Sequence, residues 1–473
     1  MEKRNKRLRI LALSITIIPV LVGIAQYNKS LPNGVSVESK SYKIGDIQFI
    51  FDLAHHEQGK QILEQHLMDE ALKIIKDAEE FIVIDMFLYN DDYDRAKGAY
   101  PKSAERITAA LLEKRANNPH MPITVISDEI NTLYGSNDQP YFKQLEAQNI
   151  DVIITNMKPL RDSNPIYSSI WRSYLQWWKP SQNGLLPNAF NPDGGKGSVG
   201  SYLDLVNFKA NHRKIVMNES HALLTSANLA HDGSSYHSNI GFIVKGQILK
   251  EIYASEQAVA KLSGLALADV TFKEDKNAGE LEIQLLTEGK IKVQILEMLQ
   301  AADEESTIKI GVFYISDRDI VNAIKDAAER GATIQMILDP NKDAFGIEKN
   351  GIPNRQVAAE LMRKKNIVVR WYHTHGEQYH SKLLILEKQK EVMLIGGSAN
   401  FTRRNLADYN LESSLYVKMP ADHKLAAEVN DYFNRLWLNE EGSFTVPFEK
   451  YEDRSIWKTA VYRFQEWTGL STF

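Results

Sequence analysis

Apolar and polar positions along the chain fall into two matched passages. Phe81-Ile82-Val83-Ile84-Asp85-Met86-Phe87 is a nearly unbroken apolar run of strand length, after a predicted helical stretch from about Gly59 to Ala78. Thr307-Ile308-Lys309-Ile310-Gly311-Val312-Phe313 takes the same place after a predicted helix from about Lys290 to Ala302. Two further strand-like runs follow in each passage. Residues 123–128 match 334–339, and 149–153 match 366–370. Helices between strands at this spacing predict right-handed βαβ crossovers. The expected fold class is therefore α/β: two tandem domains related by a pseudo-twofold, each a central mixed, mostly parallel sheet flanked by helices.

At 473 residues the chain exceeds the usual span of one core. The repeat places a first domain over 40–265 and a second over 280–473, behind an N-terminal segment of 1–30. The first domain carries an insert at about 157–209 with Tyr167, Trp171, Tyr174, Trp177 and Trp178, then a Gly/Pro/Asn-rich stretch. Such a loop reads as a lid or substrate wall. The bland alternative buries Trp171, Tyr174 and Trp178, spaced i, i+3, i+7, on one helix face. From about Phe444 to the end, the tail reads as a helix packed on the second domain, without chemistry.

One constellation occurs twice: His212-Arg213-Lys214 followed by Ser226 and Asn228, and His380-Ser381-Lys382 followed by Ser398 and Asn400. A neutral imidazole can attack phosphorus while a second, protonated, gives its proton to the leaving alkoxide. Lys214 and Lys382, with the amides of Asn228 and Asn400 and the hydroxyls of Ser226 and Ser398, would hold the phosphate oxygens. Two half-sites of this composition make a complete phosphodiester site without a metal or cofactor.

At these residues the chain resembles the phospholipase D superfamily, whose signature is His-x-Lys, four residues, Asp, then Gly-Ser-x-Asn, twice per site. Gly397-Ser398-Ala399-Asn400 matches outright, and Asn410-x-Glu412 is similar to the family's trailing Asn-x-Glu. Asn211-His212-Arg213-Lys214-Ile215-Val216 is similar to bacterial cardiolipin synthases. Four positions depart from the pattern. Glu219 and Glu387 stand where the family has Asp, as supports for the motif; Thr225 replaces the first Gly; and Gly241, in Asn239-Ile240-Gly241, is taken as the counterpart of Glu412. A carboxylate in one half only implies that the histidines divide the labour, with Glu412 orienting one of them. The resemblance implies His212 as nucleophile and His380 as general acid, in an order that can be reversed.

Arg370 to Glu377 carries His373, His375 and Glu377 just before the second motif. No partner cluster with ligand spacing stands elsewhere in the sequence, so no metal is expected. His373 and His375 read as polar residues at or behind the site. Asp128 and Asp339, at strand ends, read as helix caps, with carboxylates at the rim of the site as the alternative.

Lys3, Arg4, Lys6, Arg7 and Arg9 precede an apolar run from Ile10 to Ala25. That pattern predicts a signal or membrane anchor, with the catalytic body exported to the periplasmic or extracellular face. Without cysteine, disulfides and thiol catalysis are excluded. A net charge of −5 argues against a general polyanion binder, though a local basic groove stays compatible with a nuclease. The expected function is phosphodiester hydrolysis or phosphatidyl transfer on phospholipids at a membrane surface, through a covalent phosphohistidine. No obligatory protein partner is implied. An exported nuclease is the alternative within the enzyme class, and an inactive lipid- or phosphate-binding protein of the same fold is the alternative outside it.

Overall fold

The computed structural model describes residues 2–182, 184–272, 279–344 and 347–471, without the side chains of 2–4, 6–14, 97, 343–344 and 347–348. Two large mixed sheets face each other across a shared apolar core. Leu224, Ile240 and Phe242 of the first lobe and Leu394, Leu415 and Val417 of the second all lie in it. Outside each sheet a second core is closed by helices, by Leu67–Asp77 and Ser103–Asn117 in the first lobe and by Gly289–Gln300 and Arg318–Glu329 in the second. The sheets approach closely at Gly396. A Cβ there would come within 2.8 Å of the Phe242 ring, so the small residue sets their separation.

Both sheets are mixed, but parallel pairing is the minority within them. In the first lobe, Ile82–Met86, Ile123–Ser127 and Asp151–Ile154 run parallel, and the other neighbours are antiparallel. The second lobe repeats this with Thr307–Val312, Thr333–Leu338 and Ile367–Tyr372. The crossover helices account for those three strands. Of the antiparallel neighbours some are short hairpins, such as Lys214–Met217 with Ala222–Thr225 and Lys382–Glu387 with Glu391–Gly397, and the others join strands far apart in the chain, which hydrophobic runs alone do not distinguish.

Two expected boundaries move. The region from Gly59 begins as a hairpin, Gln48–Glu57 with Lys60–Glu64, and the helix starts only at Leu67. There Asp52 Oδ1 accepts the backbone N–H of His66 and Leu67. Tyr42–Ile44, assigned by the sequence to the first domain, instead pairs with Leu281–Thr287 at the edge of the second lobe's sheet. The first lobe's chain thus begins as an added strand of its neighbour.

The insert folds as a short helix, Pro165–Ile170, a π-helical turn, Trp171–Leu175, and a helix Val199–Leu205 capped by Ser198. Only Trp171 of the expected aromatic face is buried, its indole N–H donating to Asp204; Trp177 and Trp178 are exposed. Helix Glu2–Tyr27 lies along this insert, with the Tyr174 hydroxyl donating to the Ile15 carbonyl. The expected apolar run starts among side chains outside the described ones. Among the described residues no helix is long and apolar enough to cross a membrane.

Candidate active site

Each histidine is held by the opposite lobe. The His212 backbone N–H donates to the Leu411 carbonyl at 2.9 Å and the His380 N–H to the Ser238 carbonyl at 2.8 Å, so each motif enters the cleft alongside the other lobe's trailing segment. One residue further along those segments stand Glu412 and Asn239. His212 Nδ1 lies 3.0 Å from the Glu412 carboxylate, and His380 Nδ1 lies 3.0 Å from Asn239 Oδ1. With Nδ1–H donated in this way, the Nε2 lone pair of each neutral ring is left for substrate.

The counterpart of Glu412 is therefore Asn239, and the assignment to Gly241 is corrected. Ser226 N donates to the Ile240 carbonyl as Ser398 N donates to that of Ser413, which puts Asn239 and Glu412 at equivalent places. Gly241 lies two residues on, packed under Leu67 and Leu223. The asymmetry of carboxylate against amide is real but sits at a different position.

The hydroxyls of Ser226 and Ser398, expected on phosphate, do another job. Ser226 Oγ donates to Asn239 Oδ1 at 3.0 Å, Ser398 Oγ donates to Glu412, and each accepts a backbone N–H, from Ile240 and Ser413. They fix the groups that fix the imidazoles. Asn228 and Asn400 form a symmetric pair in which Oδ1 of each is buried without a hydrogen-bond partner; an amide meets a phosphate oxygen through its N–H groups, not through this acceptor.

Strand alternation places His212 and Lys214 on the cleft side and Arg213 on the other. Lys214 Nζ donates to the His212 carbonyl at 2.8 Å and Lys382 Nζ to the His380 carbonyl at 2.6 Å. Phe87 lies 5.0 Å from the His212 ring and 5.1 Å from Lys214 Nζ; Phe313 repeats this at 5.1 Å and 5.4 Å. Glu219 and Glu387 stand at the far ends of the motif strands. Glu219 accepts the N–H groups of Glu79 and Glu80, and Glu387 pairs with Lys309 at 2.6 Å. As supports they brace the sheet edge rather than the cleft, which is why the longer carboxylate is accommodated.

Burial governs the protonation of the cluster. His212 is held down at about 4 by desolvation, with Glu412 pulling it up and Lys214 and Lys382 pushing it down. His380 lies well below the ordinary histidine value, first through burial and then through Lys382, His237, Lys214 and His212. Each imidazole thus feels the other lobe's lysine, so the four side chains share one electrostatic site. Lys214 falls to about 7 through burial, against Glu412, Asp85 and Asp128, and Lys382 falls well below its usual value through burial and Lys214. Burial alone would raise Glu412, but His212, Lys214 and Ser398 outweigh it and keep the carboxyl ionised. A phosphodiester anion entering here would offset the clustered positive charge.

Sequence reasoning missed several residues. Asn239 is recognisable only from the hydrogen-bond register of the two repeats, whereas Phe87 and Phe313 close the two matched apolar runs and could have been found there. Asp128 caps Ile130 as expected, and its second oxygen also accepts the N–H of Asn211, while Asp339 accepts the N–H of Tyr379, so each aspartate holds the residue before a motif histidine. Arg404 is a further case: Nε and Nη2 are buried without hydrogen-bond partners, its guanidinium stacks 5.1 Å from Phe208, and burial lowers it to about 10.

Comparison with known proteins agrees with this architecture. The family match falls in the second lobe, and the likeness of fold extends over the whole chain. Residues 295–437 match the family described as cardiolipin synthase, phospholipase D-like domain. Phosphatidylserine synthase of Haemophilus influenzae has a similar fold: TM-score 0.57 at 11% identity, covering 96% of this chain and 98% of that one. The phospholipase D family member Nuc of Salmonella typhimurium aligns at 20% identity over 35% of this chain and 98% of its own, with a TM-score of 0.28. No curated protein sequence matches.

Proposed function

We propose that the protein is a phospholipid phosphodiesterase or phosphatidyltransferase working through a covalent phosphohistidine. The carrying observation is the crossed pair: His212 on Glu412 and His380 on Asn239, each partner from the opposite lobe. His212 Nε2 attacks phosphorus and the bond to the leaving oxygen breaks, with His380 delivering the proton that this oxygen takes up. Neutral His380 then removes a proton from water or an alcohol, whose oxygen displaces the imidazole. Glu412 favours His212 as the nucleophile, because the N-phosphorylated ring is cationic and a carboxylate on Nδ1 stabilises it. Partnered only by an amide, protonated His380 is the stronger acid.

A lipid substrate is supported by the surface. Trp177 and Trp178 on the insert, and Ile456, Trp457, Phe464 and Trp467 on helix Ile456–Thr468, are all exposed. Helical periodicity puts those last four on one face, and Tyr462 and Glu466 anchor the opposite side. The end of this helix meets the start of the insert, where a Cβ on Gly469 would strike the Ser163 carbonyl. Exposed aromatic rings in this arrangement suit a lipid–water boundary. Similarity to a protein named phosphatidylserine synthase, and to a family named for cardiolipin synthase, points the same way. The basic flank before Ile10 supports a body exported across the membrane on which it works.

The test is parallel incubation with phosphatidylglycerol, phosphatidylethanolamine and single-stranded DNA, with products identified by mass. Phosphatidic acid or a transfer product is expected from lipid. Cleavage of DNA with no lipid product would replace this reading with a nuclease, and no product from any of them would favour a binding protein.

A further inference from the structure

We propose that His56, His375 and Glu377 form a binding site for one zinc-type divalent ion, which staples the two lobes beside the catalytic cleft. One donor atom from each residue lies within 4.8 Å of the other two. His56 ends the first lobe's strand Gln48–Glu57, whereas His375 and Glu377 stand in the second lobe's segment between Ile367–Tyr372 and His380. No metal was expected because the second histidine cluster showed no partner in sequence; the fold supplies one from the opposite lobe.

The donor chemistry fits a borderline transition ion. Two imidazoles and one carboxylate suit zinc, while calcium and magnesium call for all-oxygen shells. Tetrahedral bonds of about 2.1 Å put donors about 3.4 Å apart, so the trio has to draw in slightly. His375 can supply that movement, since it is exposed and precedes Gly376, which has φ +121 and open space around it. Of the two nitrogens of His56, Nδ1 is buried without a hydrogen-bond partner, an unmet group that a metal would satisfy.

Access and surroundings also fit. A cleft of about 520 Å³ lined by His56, Glu57, Gln58, Asn439, Gly442 and Ser443 opens beside the trio, giving an ion and a fourth, water ligand a way in. The rings of His56 and His375 are centred 3.8 Å apart, and that of His373 lies 4.4 Å from His375 with its Nδ1 3.2 Å from Ser443 Oγ. Lys342 is close enough for its charge to be felt at His375 and opposes a cation; the Glu377 carboxylate offsets it. Bound there, the ion would clamp the segment that delivers His380 without touching the reacting phosphorus. The inference does not depend on which substrate the cleft takes.

The experiment is calorimetric titration of the metal-stripped full-length protein with Zn²⁺, with Mg²⁺ as control. One equivalent of zinc is expected in the wild type and in H380A, with affinity at least about tenfold weaker in H56A, H375A and E377Q. Zinc is also expected to raise the unfolding midpoint of the wild type but not that of H56A. His375 is exposed, so H375A keeps the test informative should H56A fold poorly. Absence of stoichiometric binding in the wild type, unchanged affinity in the three variants, or loss of the site in H380A would each overturn the proposal.

Discussion

At the scale of single residues the proposed chemistry rests on the two unlike histidine partners, Glu412 and Asn239. Glu412 raises the basicity of His212, so E412Q is expected to lower kcat by about two orders of magnitude, with little change in KM. Asn239→Asp works in the other direction. Burial and neighbouring lysine charge depress His380, and a carboxylate on its Nδ1 raises it, so the proton donor survives to higher pH. The alkaline limb of the pH–rate profile is expected to move up by on the order of one unit; a limb that stays put would mean that His380 is not the acid. If the two buried, unpartnered nitrogens of Arg404 meet a substrate anion, Arg404→Gln is expected to raise KM more than it lowers kcat. The histidines, lysines and distal asparagines were legible in the sequence because they repeat. Asn239 was not, because an amide does not resemble a glutamate and the register between segments of different length is set by backbone pairing. The serines were misread for a related reason: a hydroxyl beside a phosphate site could bind substrate or its neighbours, and only distance decides.

Between residue and fold, the elements that deliver the motifs are locked by buried charge. Arg213, on the back of the first motif, donates to Glu256 at 2.9 Å and Glu288 at 2.7 Å, and Glu288 accepts the N–H of Glu412 at 3.0 Å. This network ties the strand carrying His212 to the segment carrying its partner. Arg213→Met would strand two buried carboxylates and is expected to cost about 3–5 kcal/mol, read as a lowered midpoint in chemical denaturation. Adding E256Q and E288Q should recover much of that loss. A change below about 1 kcal/mol in the single variant would show that the network does not brace the site. Strands of the repeat were readable from apolar runs such as Ile82–Met86 and Thr307–Val312. The hairpin before Leu67 was not, since Lys60–Glu64 alternates weakly and continues smoothly into helical periodicity. Nor could local pattern announce that Tyr42–Ile44 pairs with a strand more than two hundred residues away.

At the scale of the whole molecule, duplication makes one cleft from two lobes, and the proposed lipid substrate rests on the exposed aromatic surface around it. Replacing Trp177, Trp178, Trp457 and Trp467 by alanine is expected to weaken binding to phospholipid vesicles at least about tenfold, while hydrolysis of a small water-soluble phosphodiester stays within about twofold. Equal loss on both substrates would make these rings structural. Two lobes and their class followed from the repeat; the shared central core and crossed histidine partners required the fold, because the partners stand 200 and 141 positions apart in the chain. The central claim, one phosphorus attacked by His212 and served by His380, is tested most directly by rapid acid-free quench of the full-length enzyme with phosphorus-labelled phospholipid, followed by peptide mass mapping. Acid-labile label on His212, absent in H212A together with turnover, is the predicted result; turnover with no labelled histidine, or undiminished turnover in H212A, would contradict it.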